Sequence, residues 1–125
     1  MARELLLQHY WEGKFGIPLI EPNHAIDPQQ FEMWARYDDM PTGARRANLR
    51  DVQEEGVAQI SLFCKANKGT SEIKAKARAI IKHFGVEVAH DMGEHTIYVM
   101  SSYMTQGLPD GQWYMLPITI EYQII

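Results

Sequence analysis

The chain has 125 residues, of which 46% are hydrophobic and 22% are charged, a composition typical of one globular domain. Folding a chain of this size buries roughly two-thirds of the surface that the unfolded chain exposes, which is enough for one core without disulfide bonds. Sixteen acidic and twelve basic residues give a net charge of -4, which argues against a protein that binds nucleic acid by neutralising phosphates.

The cysteine content and the first residues of the chain indicate the compartment. Cys64 has no second cysteine to pair with, which fits a reducing environment. The N-terminal segment has only three consecutive leucines and lacks the apolar core of a signal peptide. No segment approaches the roughly 20 apolar residues of a membrane span. We therefore expect the protein to act in the cytosol or in a structure assembled there.

The first half of the chain predicts one helix and three strands. Residues 2–12 are predicted to form a short helix, and residues 17–23 contain a brief apolar strand. Alternating side chains predict half-buried strands at 31–37 and at 57–64. The residues between these strands, 39–56, are polar and longer than a turn needs, so we predict a long β-β arm there.

The clearest predicted helix lies between Thr70 and Gly85. Thr70 and Ser71 offer hydroxyl oxygens for an N-cap, and Gly85 suits the residue that follows the last turn. Apolar side chains recur at helical spacing and predict one buried stripe, formed by Ile73, Ala77, Ile80, Ile81 and Phe84.

Two further strands are predicted after this helix. Alternation at 95–103 predicts that Ser101 and Tyr103 share the face of the apolar residues before them. Residues 113–124 carry an uninterrupted apolar face. Because proline lacks the N–H that a sheet ladder needs, Pro117 is predicted at a sheet edge or a bulge.

The order of these elements, α-β-β-β-α-β-β, predicts the fold class. We expect an α+β fold with a single mixed, mainly antiparallel β-sheet and two helices packed on one face. Residues 85–93 and 105–112 are connections in this prediction. Residues 1–125 form a single domain.

A catalytic signature is not evident, because the sequence contains no glycine-rich phosphate loop, nucleophile elbow, HExxH or CxxC motif. His90, Asp91, Glu94 and His95 are four potential metal ligands, but their spacing matches no established metal loop. The sequence favours a polar turn between strands. A small metal-dependent enzyme that uses the His90 to His95 cluster is the alternative, and we predict neither a cofactor nor a bound metal.

The charges are separated along the chain. Residues 65–82 hold six of the twelve basic residues and one acid, whereas the rest of the chain holds six basic and fifteen acidic residues. Lys74, Arg78 and Lys82 recur at every fourth position of the predicted helix. A solvated helix face explains them, and the alternative is a head-to-tail contact with another copy that closes a ring.

The predicted arm is divided in the same way, since Arg45, Arg46 and Arg50 precede Asp51, Glu54 and Glu55. Such a segment is either a docking element that orders on a partner or plainly disordered. The candidate interface residues are therefore Arg45, Arg46, Arg50, Asp51, Glu54, Glu55, Lys74, Arg78 and Lys82.

Four segments, taken in order, carry a family resemblance. They are residues 17–23, the aromatic strand 31–37 that leads into the arm, residues 56–84, and the terminal strand 113–122. Together they resemble the tail terminator, or tail-completion, proteins of long-tailed bacteriophages, the lambda-type family. The resemblance spans residues 15–122.

The resemblance implies a structural protein of the virion. Its members are expected to form a hexameric ring that caps the tail tube, ends polymerisation and presents the surface that joins the head. The implied partners are copies of itself, the tail tube protein and a head-tail connector. Binding to a membrane or to a specific nucleic-acid sequence is not expected. The implied location is the head-proximal end of the tail, after assembly in the host cytoplasm. Another neck or head-completion joint protein is the alternative.

Overall fold

The computed structural model describes residues 2–20, 32–41, 54–66 and 69–125. The described part contains two helices and seven strands. The helices are α1 (Ala2–Glu12) and α2 (Ser71–Phe84). The strands are β1 (Leu19–Ile20), β2 (Met33–Pro41), β3 (Glu54–Lys65), β4 (Val88–Asp91), β5 (Thr96–Met104), β6 (Leu108–Asp110) and β7 (Trp113–Ile124).

The strands form one open sheet in the order β1-β2-β3-β7-β5-β4, with β6 paired to β7. The pairing of β1 with β2 is parallel, and all other described pairings are antiparallel. Both helices contribute to a core on one face of this sheet. The predicted α+β class and the mainly antiparallel sheet are therefore confirmed. No described helix is long and apolar enough to cross a membrane.

The core lies between this face and the two helices. From α1, Leu6 and Tyr10 are each 1% exposed, and the Tyr10 hydroxyl donates to the Ile17 carbonyl oxygen at 2.9 Å. The predicted stripe of α2 is confirmed, with Ile81 packed at its margin. The fully buried members of the stripe are Ile73, Ala77, Ile80 and Phe84.

The structure confirms the predicted C-terminal end of α2 but not the predicted side-chain cap at its N-terminal end. Thr70 lies at the N-cap, but its side chain makes no capping hydrogen bond. Its backbone is already near the helical region, at φ -116° and ψ -4°, whereas a capping side chain needs an extended backbone. Gly85 ends the helix as predicted, with φ 82° and an N–H that donates to the Ile81 carbonyl oxygen at 2.8 Å.

A β-bulge interrupts the alternation of β5. The ladder to β7 gains one residue between Val99 and Ser101. Because one extra residue shifts every later side chain to the opposite face, Ser102 turns inward and Tyr103 is 43% exposed. The predicted common face of Ser101 and Tyr103 with the preceding apolar residues is therefore wrong.

Two segments predicted as connections contain short strands. β4 lies within 85–93 and β6 lies within 105–112. Both strands are largely exposed, so neither has the alternation of apolar residues that marks a half-buried strand. Their existence depends on pairing with β5 and β7, which the local sequence does not encode.

Pro117 lies inside the central strand β7, not at an edge or a bulge, and pairs with Ser61 of β3. Its carbonyl oxygen accepts a hydrogen bond from the Thr105 N–H at 3.1 Å. Since the N and the carbonyl of one strand residue point to the same side, the missing donor of Pro117 lies where β7 changes partner from β5 to β6. The proline therefore lacks the return bond to Thr105, and the ladder between β5 and β7 ends at the neighbouring pair, Met104 and Ile118.

Both strands that flank the predicted arm extend into it. Pro41 of β2 pairs with Gly56 of β3, and β3 begins at Glu54. The first and last residues of the 39–56 segment are therefore strand residues. Arg45, Arg46, Arg50 and Asp51 lie outside the described residues.

Candidate interaction surfaces

The first candidate surface is the outer side of α2, which we call the basic face and define as Lys74, Arg78 and Lys82. Spacing of four residues places these side chains in one row, turned away from the buried stripe. Lys74 is half-buried at the flank, and Arg78 and Lys82 are exposed. The basic face therefore presents three positive charges on one helix, as the sequence predicts.

Lys76 also belongs to the basic segment but has an internal role. Its ammonium group donates to the carbonyl oxygen of Phe15 at 2.9 Å, which ties α2 to the segment that follows α1. Lys65 lies 3.9 Å from a carboxylate oxygen of Glu32. The concentration of basic residues at 65–82 is therefore partly structural.

The second candidate surface lies at the edge of the sheet and is negative. No lysine or arginine follows Lys82 in the chain, whereas five acids do. Three of them, Glu87, Asp91 and Glu94, are exposed on β4 and in the turns beside it. We call residues 86–94 the acidic edge. The sequence motifs do not point to this surface, although the absence of lysine and arginine after Lys82 is a signal for it.

The acidic edge also exposes apolar surface. Val86 is 54% exposed and Val88 is 39% exposed. β4 ends the strand order, and β5 is its one partner in the described sheet. Among the described strands, none pairs with the outer backbone groups of β4, and such an edge is a place where another chain can add.

Neither surface is neutralised by the other within the molecule. No ion pair within 4.0 Å joins a residue of the basic face to a residue of the acidic edge in the described part of the chain. The molecule therefore carries positive charge on the outer side of α2 and negative charge at the sheet edge that follows it in the chain.

The base of the predicted arm is held by hydrogen bonds from β7. The Tyr122 hydroxyl donates to Asp39 Oδ1 at 2.7 Å, and the Gln123 amide donates to Glu55 Oε2 at 3.2 Å. Burial, and then the adjacent Asp39 carboxylate, raise the pKa of Tyr122, so its hydroxyl keeps its proton at neutral pH. Glu54 and Glu55, two of the candidate interface residues, thus begin β3 at this anchored base.

The candidate metal ligands lie in and beside a hairpin turn. The N–H of Gly93 donates to Asp91 Oδ1 at 3.1 Å, and the N–H of Met92 donates to the His95 carbonyl oxygen at 2.9 Å. Asp91 therefore stabilises its own turn. Within the described residues, no group of three or more histidine, cysteine, aspartate or glutamate side chains is placed to hold a metal ion.

His90 packs against another histidine instead of a metal ligand set, a contact that the sequence did not predict. Its ring packs on His9 with centroids 4.1 Å apart, and its Nε2 lies 2.6 Å from the Phe84 carbonyl oxygen. His9 also stacks on His83, with centroids 3.9 Å apart. These three histidines come from α1, α2 and β4, so no spacing in the sequence connects them. Burial lowers the pKa of His9.

Cys64 is a buried free thiol in this fold. It lines a cavity of about 240 Å³ together with Glu72 and Ile73. Burial raises the pKa of the thiol, and the nearby Glu72 charge adds to this shift. A thiol that keeps its proton at neutral pH is a poor nucleophile, so Cys64 has the properties of a core residue.

An aromatic cluster lies on the sheet face opposite the helices. Trp34 and Phe63 stack with centroids 4.0 Å apart, and the ring of Trp113 meets Trp34 edge-on at 5.9 Å. The Arg36 guanidinium lies 5.4 Å from the Phe63 ring centre. Phe63 is 1% exposed and Trp113 is 8% exposed, so this cluster is packing rather than a free surface.

The fold and its surfaces define a small α+β domain that presents opposite charges on a helix face and a sheet edge, as proteins built for association do. A family model described as phage tail terminator protein matches residues 4–122, nearly the whole chain. The chain therefore belongs to the phage tail terminator family, a structural family of tail-completion proteins of the virion. The resemblance found in the sequence is confirmed.

Comparison with solved structures supports the same architecture. One solved structure superposes with a TM-score of 0.71 at 19% sequence identity, and the match covers 96% of this chain and 94% of that structure. At this identity the likeness shows the fold alone. Among curated protein sequences, none matches this chain.

Proposed function

We propose that this protein forms a hexameric ring that caps the tail tube, ends tube polymerisation and presents the surface that joins the head. The observation that carries the proposal is the family match over residues 4–122. A ring bound to the last tube subunits ends growth because its outer side differs from the surface to which tube subunits add. The protein acts by contact, without a catalytic residue or a cofactor.

Two groups of residues serve this role in the proposal. The arm residues Arg45, Arg46, Arg50 and Asp51, with Glu54 and Glu55 at its base, contact the tube or a neighbouring subunit. The exposure of Arg78 and Lys82 supports a second contact through the basic face, Lys74, Arg78 and Lys82. The partners are copies of the protein, the tail tube protein and a head-tail connector.

The location follows from the role. The ring lies at the head-proximal end of the tail, and assembly takes place in the host cytoplasm before the head is joined. A net charge of -4 with separated signs supports association through directed contacts rather than through nonspecific aggregation.

Tail assembly without this protein tests the proposal. Phage lacking the gene should produce over-long tubes that do not join heads, and the wild-type gene supplied in trans should restore tails of normal length. Tubes of normal length that lack heads would instead assign the protein to another joint of the neck, and the proposal would be wrong.

A further inference from the structure

We infer that copies of this protein meet through a heterologous contact in which the basic face of one subunit binds the acidic edge of the next. The inference rests on the proposed function, because it names the two surfaces through which the ring closes. It goes beyond that function in assigning each side of the contact to described residues. The basic face is Lys74, Arg78 and Lys82, and the acidic edge is residues 86–94.

The charges of the two surfaces are complementary and equal in number. The basic face carries three positive charges, and the acidic edge carries three carboxylates at Glu87, Asp91 and Glu94. No described ion pair joins one set to the other within a subunit. Complementary charges orient two proteins as they meet and exclude wrong pairings.

The acidic edge offers more than charge. Val86 and Val88 add exposed apolar area beside Glu87, and β4 pairs on one side only within the described sheet. On α2, the exposed residues next to Arg78 and Lys82 are small, since they include Ala75 and Ala79. Small side chains allow another chain to approach the helix closely. Apolar contact can therefore supply affinity while the charges supply register.

The same charges disfavour contacts between like surfaces, and the ring of the proposed function selects a head-to-tail contact over a two-fold dimer in which both pairs of surfaces meet at once. Two basic faces repel each other, as do two acidic edges, so a symmetric pairing of like surfaces is unfavourable. Each subunit carries one surface of each sign, so every contact leaves one basic face and one acidic edge available. Such contacts continue from subunit to subunit until a ring closes.

Two charge-reversed variants test the inference. The acid-reversed variant carries Glu87→Lys and Glu94→Lys, and it keeps Asp91 because that carboxylate accepts the Gly93 N–H. The base-reversed variant carries Arg78→Glu and Lys82→Glu. Control reversals at exposed sites elsewhere are Lys14→Glu and Asp110→Lys. Circular dichroism and thermal unfolding establish that every variant is folded, and electron microscopy with polymerised tail-tube subunits counts ring-capped tube ends.

Each reversed variant alone should lose ring-capped ends, and an equal mixture of the two should recover them. In the mixture, the reversed acidic edge of one variant binds the reversed basic face of the other, and the native edge of the second binds the native face of the first. The two variants then alternate around the ring, which requires an even number of subunits. The control reversals should cap tubes like wild type.

Three results would overturn the inference in distinguishable ways. Ring formation by both reversed variants alone would reject the assigned surfaces and leave the proposed function intact. Loss of rings that mixing does not restore would show that the two surfaces do not face each other. Absence of rings with the wild-type protein would overturn the proposed function, and the inference with it.

Discussion

The imidazole rings of His9 and His83 stack with centroids 3.9 Å apart, and each ring reaches the main chain of the other residue. His9 Nε2 lies 3.1 Å from the His83 carbonyl oxygen, and His83 Nε2 lies 2.6 Å from the His9 carbonyl oxygen. Both contacts are satisfied when each Nε2 carries a proton and donates it. The two rings therefore join α1 to α2, and His90 of β4 packs against the same stack.

Acidification should destabilise this protein through His9. Burial lowers the pKa of His9 below its usual 6.5, and the charges of His83 and His90 lower it further, while the His83 carbonyl and Glu12 raise it. The unfolded chain therefore binds a proton at a pH where folded His9 resists it. Well above pH 6.5, His9 is neutral in both states and this difference does not affect stability. Below that value the free energy of unfolding falls as the pH drops, by up to about 1.4 kcal/mol per pH unit.

Urea unfolding at a series of pH values measures this dependence. His9→Gln, which cannot titrate, should flatten the slope below the usual histidine pKa. His95→Gln is the control for replacement of a histidine outside the group of His9, His83 and His90. An equal slope in wild type and His9→Gln would show that this histidine does not control the pH response.

Tyr122→Phe should weaken the base of the arm. The change removes the hydrogen bond to Asp39 Oδ1 and leaves the carboxylate with one donor fewer, at a cost of about 1–2 kcal/mol in the free energy of unfolding. Tyr103→Phe is the matched control, because Tyr103 is 43% exposed and should change stability little. Chemical denaturation distinguishes the two, and equal stabilities of the two variants would contradict the assigned bond.

Gly85→Ala should cost more stability than Gly93→Ala, although both glycines have positive φ, 82° and 90°. An alanine at either position must adopt a positive φ, which costs about 1–3 kcal/mol. At Gly85 the added Cβ would also lie 2.8 Å from Val88 Cγ2, whereas no atom lies within 4 Å at Gly93. Thermal unfolding of both variants should rank them in this order, and the reverse order would show that crowding at β4 is relieved without cost.

Reversal of the arm arginines should abolish capping without unfolding the protein. Arg45→Glu, Arg46→Glu and Arg50→Glu together change the basic part of the arm, residues 45–50, to acidic, so a surface that attracts this segment would repel it. Circular dichroism should match wild type, and tube-capping should be lost. Lys14→Glu, at an exposed position outside the arm, is the control for a reversed base elsewhere. If the triple variant caps tubes normally, the arm has no part in the contact.

The sequence predicts the elements that bury one face and misses those that depend on a neighbour. The stripe of α2 and the apolar face of β7 repeat at the period of their element, so the fold class follows from local pattern. β4 is an exposed strand that exists by pairing with β5, and its residues show no such period. The bulge in β5 is a property of its ladder with β7 and leaves no local mark before Ser101.

The candidate surfaces show the same division. Lys74, Arg78 and Lys82 could be predicted as one row, because helical spacing alone places them there. The grouping of His9, His83 and His90 could not be predicted, since it arises from three elements that meet only after folding. The hydrogen bond of Tyr122 to Asp39 likewise joins residues 83 positions apart in the chain.

Electron microscopy of this protein mixed with polymerising tail-tube subunits tests the central claim most directly. If the protein is a tail terminator that acts as a ring, tubes should stop growing when it is added, and a ring of its subunits should cover one end of each tube. Tubes that continue to lengthen with uncovered ends, in the presence of folded protein, would contradict the account.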